Sequence, residues 1–279
     1  MKKSRWFVSP CPRIYICMDL QLSGKTALVT GSTAGIGYAI AASLARERAS
    51  VIVNGRTQTR VDAAVAKLGA AGIQAKGLAA DIGTAAGAAL AIERFPSVEI
   101  LVNNLGIFEP KPFESIPDED WFRIFEVNVM SGVRLSRHYL PRMKEAGWGR
   151  IVFVSSESAI QIPAEMIHYG MTKTAQLAIS RGLAETTAGT GVTVNAILPG
   201  PTASEGVGEF VGKLAEDQGT DRAAVEEEFF RSMRPTSLLR RFAKPEEVAA
   251  LVTFVCSPLS SATNGAALRV DGGVLRSAV

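Results

Sequence analysis

Apolar and polar positions switch between two periods along the chain, and the switching predicts its architecture. Seven short runs are dominated by apolar residues: TALVT (26–30), SVIVN (50–54), IQAKGLAA (73–80), EILVNN (99–104), RIVFVSS (150–156), VTVNAIL (192–198) and ALRV (267–270). Between them lie helical patterns at 35–48, 57–70, 84–94, 118–145, 168–187 and 245–256. Strands covered on both faces read as continuous apolar runs, and strands that alternate with helices read as βαβ units. The expected fold is doubly wound α/β: a mainly parallel seven-stranded sheet with helices on both faces, in a single domain over residues 18–279. Residues 201–244 carry no strand signal and are mixed in charge, rich in Gly, Glu and Arg.

Composition agrees with that picture, since 47% apolar and 20% charged residues in a chain of 279 supply an ample core. The net charge is +3, but residues 1–17 hold Lys2, Lys3, Arg5 and Arg13 and no acid. That segment carries +4, which leaves the rest of the chain at −1 and gives no basic surface for nucleic acid. Cys11, Cys17 and Cys256 form no disulfide framework, no Cys/His spacing suggests zinc, and no metal is expected. Pro10 and Pro12 interrupt the leader, which lacks the sustained apolar stretch of a secretory signal. Residues 1–17 are expected to be a disordered, dispensable extension. No run of eighteen apolar residues occurs, so no membrane span is expected, and the protein reads as cytoplasmic.

Chemistry enters with the first strand, which runs straight into TGSTAGIG (30–37) and then a helical pattern. Glycines at 31, 35 and 37 would permit a tight turn, close backbone approach to a pyrophosphate, and a helix N-terminus open to anions. The spacing is G-x-x-x-G-x-G, and its context after a strand is what points to a nucleotide. SGKT at 23–26 is no phosphate loop, because Asp19 stands where a glycine would be needed and the segment precedes a strand. A second signal is HYGMTK (168–173). The i, i+4 spacing puts Tyr169 and Lys173 on one helix face, where an ammonium would favour the phenolate and lower a tyrosine pKa that is ordinarily about 10.

TGSTAGIG, NNLG at 103–106, Asn128, Ser156, YGMTK at 169–173 and the PG pair at 199–200 together resemble the short-chain dehydrogenase/reductase family, over essentially all of residues 22–273. The resemblance implies a Rossmann fold and hydride transfer between a nicotinamide cofactor and a carbonyl or alcohol. Tyr169 would then be the general acid and base, Ser156 would hydrogen-bond the reacting oxygen, and Lys173 would tune Tyr169 and bind the nicotinamide ribose. Asn128 would hold a water linking Lys173 to solvent. Ser155 and Ser158 are alternatives to Ser156 if the register slips.

The implied cofactor contacts are Gly31, Ser32, Thr33, Gly35, Ile36 and Gly37 in the turn. Asp81 would meet the adenine amino group and Ile82 the adenine ring. Asn104, Leu105 and Gly106 would lie along the ribose, with Leu105 departing from the usual alanine, and Pro199, Gly200 and Thr202 would meet the nicotinamide end. At the end of the second strand, Asn54, Gly55, Arg56 and Thr57 include no acid, which favours NADP over NAD while leaving NAD in use.

Residues 201–244 take the place of the family's substrate loop, where Phe210, Phe229, Phe230 and Met233 could cover an apolar substrate. Glu157, Met166 and Ile167 could line the pocket. The substrate stays open among acyl thioesters, sugars, steroids and small ketones, with a 3-oxoacyl thioester reductase-like enzyme as one reading. A homotetramer or homodimer is implied. The rival readings are a non-catalytic nucleotide-binding regulator and an epimerase or dehydratase on the same fold.

Overall fold

A computed structural model gives the fold of residues 18–278. Seven strands form one sheet: β1 (Thr26–Val29), β2 (Ser50–Gly55), β3 (Ala75–Ala79), β4 (Ile100–Asn103), β5 (Gly149–Val154), β6 (Val192–Pro199) and β7 (Ala267–Val270). Their order is β3-β2-β1-β4-β5-β6-β7, and every neighbouring pair is parallel. Nine helices connect them: α1 (Gly35–Arg46), α2 (Gln58–Ala70), α3 (Ala85–Arg94), α4 (Asp118–Phe125), α5 (Ser131–Glu145), α6 (Ile167–Glu185), α7 (Glu205–Gln218), α8 (Arg222–Ser232) and α9 (Pro245–Cys256).

The strand period of two sorts the core into two layers. Ala27, Val29, Val51, Val53, Val152 and Val154 face α1, α2 and α9, while Leu28, Ile52, Ile151 and Phe153 face α3, α5 and α6. Each such aliphatic side chain, at or near zero exposure, contributes about 1.5–3 kcal/mol by leaving water. The chain reverses its winding direction between β1 and β4, which opens a crevice at the carboxyl ends of those strands.

Two regions differ from the sequence pattern. The single helix expected over 118–145 is interrupted at Glu126–Met130 by a wider π turn. Such a turn re-aims side chains without ending the helix, and it carries Asn128. The stretch 201–244 folds into two helices. Ser204 caps α7 by accepting the Val207 amide, Gly219 ends it at φ +63°, and Asp221 Oδ1 caps α8 by accepting the Ala224 amide at 2.8 Å. The expected disordered extension, residues 1–17, lies outside the described residues. Among those that are described, no helix is long and apolar enough to cross a membrane, and no cluster of His, Cys, Asp and Glu could hold a metal ion.

Candidate active site

The turn after β1 is shaped to admit an anion. Gly31 and Gly35 sit at φ +60° and +57°, in the left-handed region where a side chain would be strained. A Cβ on Gly37 would stand 2.5 Å from both Asn104 Nδ2 and the Gly31 carbonyl oxygen. Asn104 Nδ2 donates to the Thr30 and Gly31 carbonyls at 2.9 and 3.1 Å, tying the end of β4 to the turn. Helix α1 starts with Ala34 as its cap, which offers no side-chain acceptor, and its first turn holds no acid. Its leading N–H groups are thus open to a phosphate, so the residues present fit a dinucleotide.

Several expected cofactor contacts have other partners. Ser32 is fully buried, and its Oγ donates to the Val29 carbonyl at 2.7 Å and accepts the Asn54 amide at 2.9 Å. The Asn54 side chain turns inward, accepting the Gly31 amide at 3.1 Å and donating to the Leu78 and Ala80 carbonyls at 3.1 and 3.0 Å. Both side chains brace the turn. Ile82, expected against the adenine ring, is 1% exposed and belongs to the core under α3. Asp81 is exposed, with Oδ1 accepting the Gly83 amide at 3.1 Å. Thr33 crowds Gly55, since a Cβ there would meet its Cγ2 at 2.5 Å, and Arg56 follows directly, exposed. Leu105 leans on Gly31, with its Cα and Cδ1 each 3.3 Å from where a Cβ would be.

The four residues expected to carry the chemistry come from three elements. Ser156 follows β5, Tyr169 and Lys173 lie on α6, and Asn128 sits in the π turn. Ser155 Oγ donates to the Lys173 carbonyl at 2.8 Å, which pins α6 to β5. Ser156 Oγ accepts the Ser158 amide at 3.1 Å, and Ser156 and Tyr169 line the same cavity.

Burial pushes the Tyr169 hydroxyl up to about 12, with the neighbouring Ser156 pulling it back in part. Among its neighbours, Ser156 and then Arg234 pull it down, while Glu157 pushes it up. Lys173 Nζ lies 5.6 Å from the Tyr169 ring centre, and burial itself pulls the lysine down to about 8. Its ammonium donates to the Val154 carbonyl at 2.9 Å and to Gln176 Oε1 at 3.3 Å. Desolvation is the largest cause at both groups, and it keeps Tyr169 a neutral phenol near pH 7.

Gln176 is the link that the sequence did not reveal. Its Nε2 donates to the Asn128 main-chain carbonyl at 2.6 Å, so hydrogen bonds run from Lys173 through the Gln176 side chain to the backbone of Asn128. The Asn128 amide itself is held by Ile107 and by Thr172 Oγ1. Its i, i+3 position after Lys173 was the only available clue.

Ser156, Tyr169 and Lys173 open onto a cavity of about 380 Å³ that Pro199, Gly200 and Thr202 border at the end of β6. Gly200 passes so close to β7 that a Cβ would stand 2.5 Å from the Asp271 carbonyl oxygen. Phe229, Met233 and Met166 line the cavity as expected, whereas Phe230 packs at 6% exposure against Phe229 and Phe242. The Phe210 side chain lies outside what the structure describes.

Residues 25–213 match the family model described as short chain dehydrogenase. The chain belongs to the short-chain dehydrogenase/reductase family. As a member it is an NAD(P)-dependent oxidoreductase. It is 52% identical over 262 residues to the uncharacterized oxidoreductase YvaG of Bacillus subtilis, covering 93% of this chain and 99% of YvaG. Identity to the 3-oxoacyl-acyl-carrier-protein reductase FabG of Aquifex aeolicus is 33%, over 92% of this chain and all of that one. Among solved structures, L-sorbose reductase from Gluconobacter frateurii, complexed with NADPH and L-sorbose, superposes with a TM-score of 0.88 at 32% identity, covering 93% of this chain and 100% of that one.

Proposed function

We propose that this protein is an NADP(H)-preferring carbonyl reductase in which Tyr169 delivers the proton. The observation that carries this reading is a neutral Tyr169 that lines one cavity with Ser156, Lys173 and Ile36 of the helix after the glycine-rich turn. A bound nicotinamide would supply hydride to the substrate carbon. Ser156 and Tyr169 would hold the carbonyl oxygen, and Tyr169 would protonate the alkoxide as it develops. Lys173, linked through Gln176 to Asn128, would keep positive charge at the site and restore the proton. A non-catalytic nucleotide binder would have no use for that set. Reducing a panel of ketones while following cofactor absorbance tests the activity directly.

The cofactor reading rests on Arg56. No acid stands at the end of β2 to repel a 2′-phosphate, and Arg56 is exposed beside Thr33, where a planar guanidinium can take phosphate oxygens in pairs. Asn54 is removed from that contact by its internal hydrogen bonds. Wild type should prefer NADP(H) over NAD(H) by kcat/KM and by direct fluorescence titration, and Arg56→Asp should reverse the order. Equal use of both by wild type, or no shift in the variant, would remove Arg56 from the role.

We read the protein further as a cytoplasmic homodimer or homotetramer, assembled in part through the helix that carries Tyr169. Supporting association, Phe113, Phe122 and Phe125 are 59%, 73% and 38% exposed. Light scattering should give two or four copies at micromolar concentration, and a monomer would refute the assembly.

A further inference from the structure

Lys173 is held from behind by a side chain that the expected chemistry does not include. Its Nζ donates to the Val154 carbonyl at 2.9 Å and to Gln176 Oε1 at 3.3 Å, and Gln176 Nε2 donates to the Asn128 main-chain carbonyl at 2.6 Å. Gln176 and Asn128 are each 1% exposed, so the link lies inside the protein. Its partners fix which way the carboxamide points, because an ammonium only donates and a carbonyl only accepts. Gln176 stands three residues after Lys173 on α6, so the acceptor is in place as soon as the helix forms.

The family resemblance implies a water between Asn128 and Lys173. Here the Gln176 carboxamide makes both of the hydrogen bonds that such a water would make, one from the ammonium and one to the carbonyl. The Asn128 side chain is engaged elsewhere: Oδ1 accepts the Ile107 amide at 2.8 Å, and Nδ2 donates to the Ile107 carbonyl at 2.9 Å and to Thr172 Oγ1 at 3.0 Å. The two bridges differ chemically. A water gives up one proton as it takes another, whereas a carboxamide oxygen is a very weak base and its N–H a very weak acid. The link through Gln176 therefore carries position and charge stabilisation, and no proton.

We infer that Gln176 is a positioning residue for the reaction: its carboxamide takes the place of the relay water, tying the Lys173 ammonium to the Asn128 carbonyl and holding its charge at the cavity wall. The inference rests on the carbonyl-reductase reading above. Of the three N–H groups on Nζ, Val154 and Gln176 take two, which leaves one for the cavity that Lys173 lines beside Gly106. A Cβ on Gly106 would stand 3.4 Å from Nζ. Burial pulls the ammonium down to about 8, and the titratable side chain beside it is Tyr169, with its ring centre 5.6 Å from Nζ. An acceptor on Nζ works against that burial, because it favours the charged form.

The test compares three variants of the full chain. Gln176→Leu keeps the bulk and removes both hydrogen bonds, Gln176→Ala removes the same bonds but leaves room for a water, and Gln176→Glu keeps the shape and sets a carboxylate against Nζ. The midpoint of Lys173 is read without cofactor, by NMR of isotope-labelled lysine side chains, with its signal assigned by its loss in Lys173→Met. Wild type should titrate near 8. Gln176→Leu should titrate about one pH unit lower, Gln176→Glu higher than wild type, and Gln176→Ala between Gln176→Leu and wild type. With NADPH and a ketone that wild type reduces, Gln176→Leu should lose about fivefold in turnover at about pH 8, where a midpoint one unit lower leaves about a tenth of the lysine charged. The loss should shrink towards about pH 6, where Lys173 is charged in both proteins. Gln176→Ala should lose less than Gln176→Leu at every pH. A residue that merely fills space gives the reverse order, since leucine fills the site and alanine leaves a cavity.

Turnover in Gln176→Leu at or above that of Gln176→Ala, or midpoints unmoved in Gln176→Leu and Gln176→Glu, would overturn the inference. Melting temperatures report folding, and the Gln176→Glu midpoint decides if the leucine variant does not fold. Failure of wild type to reduce any ketone would overturn the carbonyl-reductase reading, while the midpoints still decide whether Gln176 holds the charge of Lys173.

Discussion

Tyr169→Phe should lose about 10²- to 10⁴-fold in turnover while binding NADPH as wild type does, since a general acid contributes about that much. The ring stays, and with it the edge contact to Phe108 at 6.2 Å and the shape of the cavity wall. Only the hydroxyl leaves. Because burial holds the phenol near 12, wild-type Tyr169 is protonated across the neutral range, and its donor role needs no ionisation step before the proton moves. Turnover in the variant within about threefold of wild type would remove Tyr169 from the chemistry. Weakened NADPH binding alongside lost turnover would show instead that the hydroxyl helps to hold the cofactor.

What the sequence disclosed follows the range of the interactions involved. Strands such as SVIVN and VTVNAIL were readable because burial on both faces makes every position apolar, and all seven appear within a few residues of their expected limits. The i, i+4 pairing of Tyr169 and Lys173 is local, so it too was readable. Helices α7 and α8 were not. Gly206, Gly208 and Gly212 depress the helix propensity of α7, and its ends depend on the Ser204 cap and the turn at Gly219.

Neither was the direction of Asn54, which is set by carbonyls of β3 more than twenty residues away. The ion pair of Arg234 with Glu157 spans 77 residues and leaves no periodic trace. Least readable was the balance at Tyr169. Spacing discloses that a lysine is near, while the desolvation at both groups comes from the packing around them, which no local pattern records.

That same desolvation sets the last expected result, a pH-dependent stability difference between wild type and Lys173→Met. Lys173 is 4% exposed, and no carboxylate among the described residues pairs with it; its partners are the Val154 carbonyl and Gln176. Burial holds its folded-state pKa at about 8 against 10.5 for the ordinary side chain. The charged form is disfavoured by folding, so the unfolded chain binds more protons between those values, and stability rises with pH across that window. Below pH 8 both states are protonated and the full penalty, on the order of 3 kcal/mol, is present.

Methionine keeps the length without the charge. Whatever it costs by leaving Val154 and Gln176 without a donor is independent of pH. The difference in unfolding free energy, wild type minus variant, should therefore be flat from pH 6 to about 7.5 and climb by about 2–3 kcal/mol towards pH 10.5. Urea titrations of both proteins at pH 7, 9 and 10 would read it, with the other titrating groups cancelling in the difference. Over the same range the variant should show turnover reduced by at least about tenfold at pH 7, where the proton and positive charge of Lys173 are missing. A difference that stays level through pH 10, or that falls, would mean that Lys173 is not the desolvated ammonium on which the proton-supply reading depends.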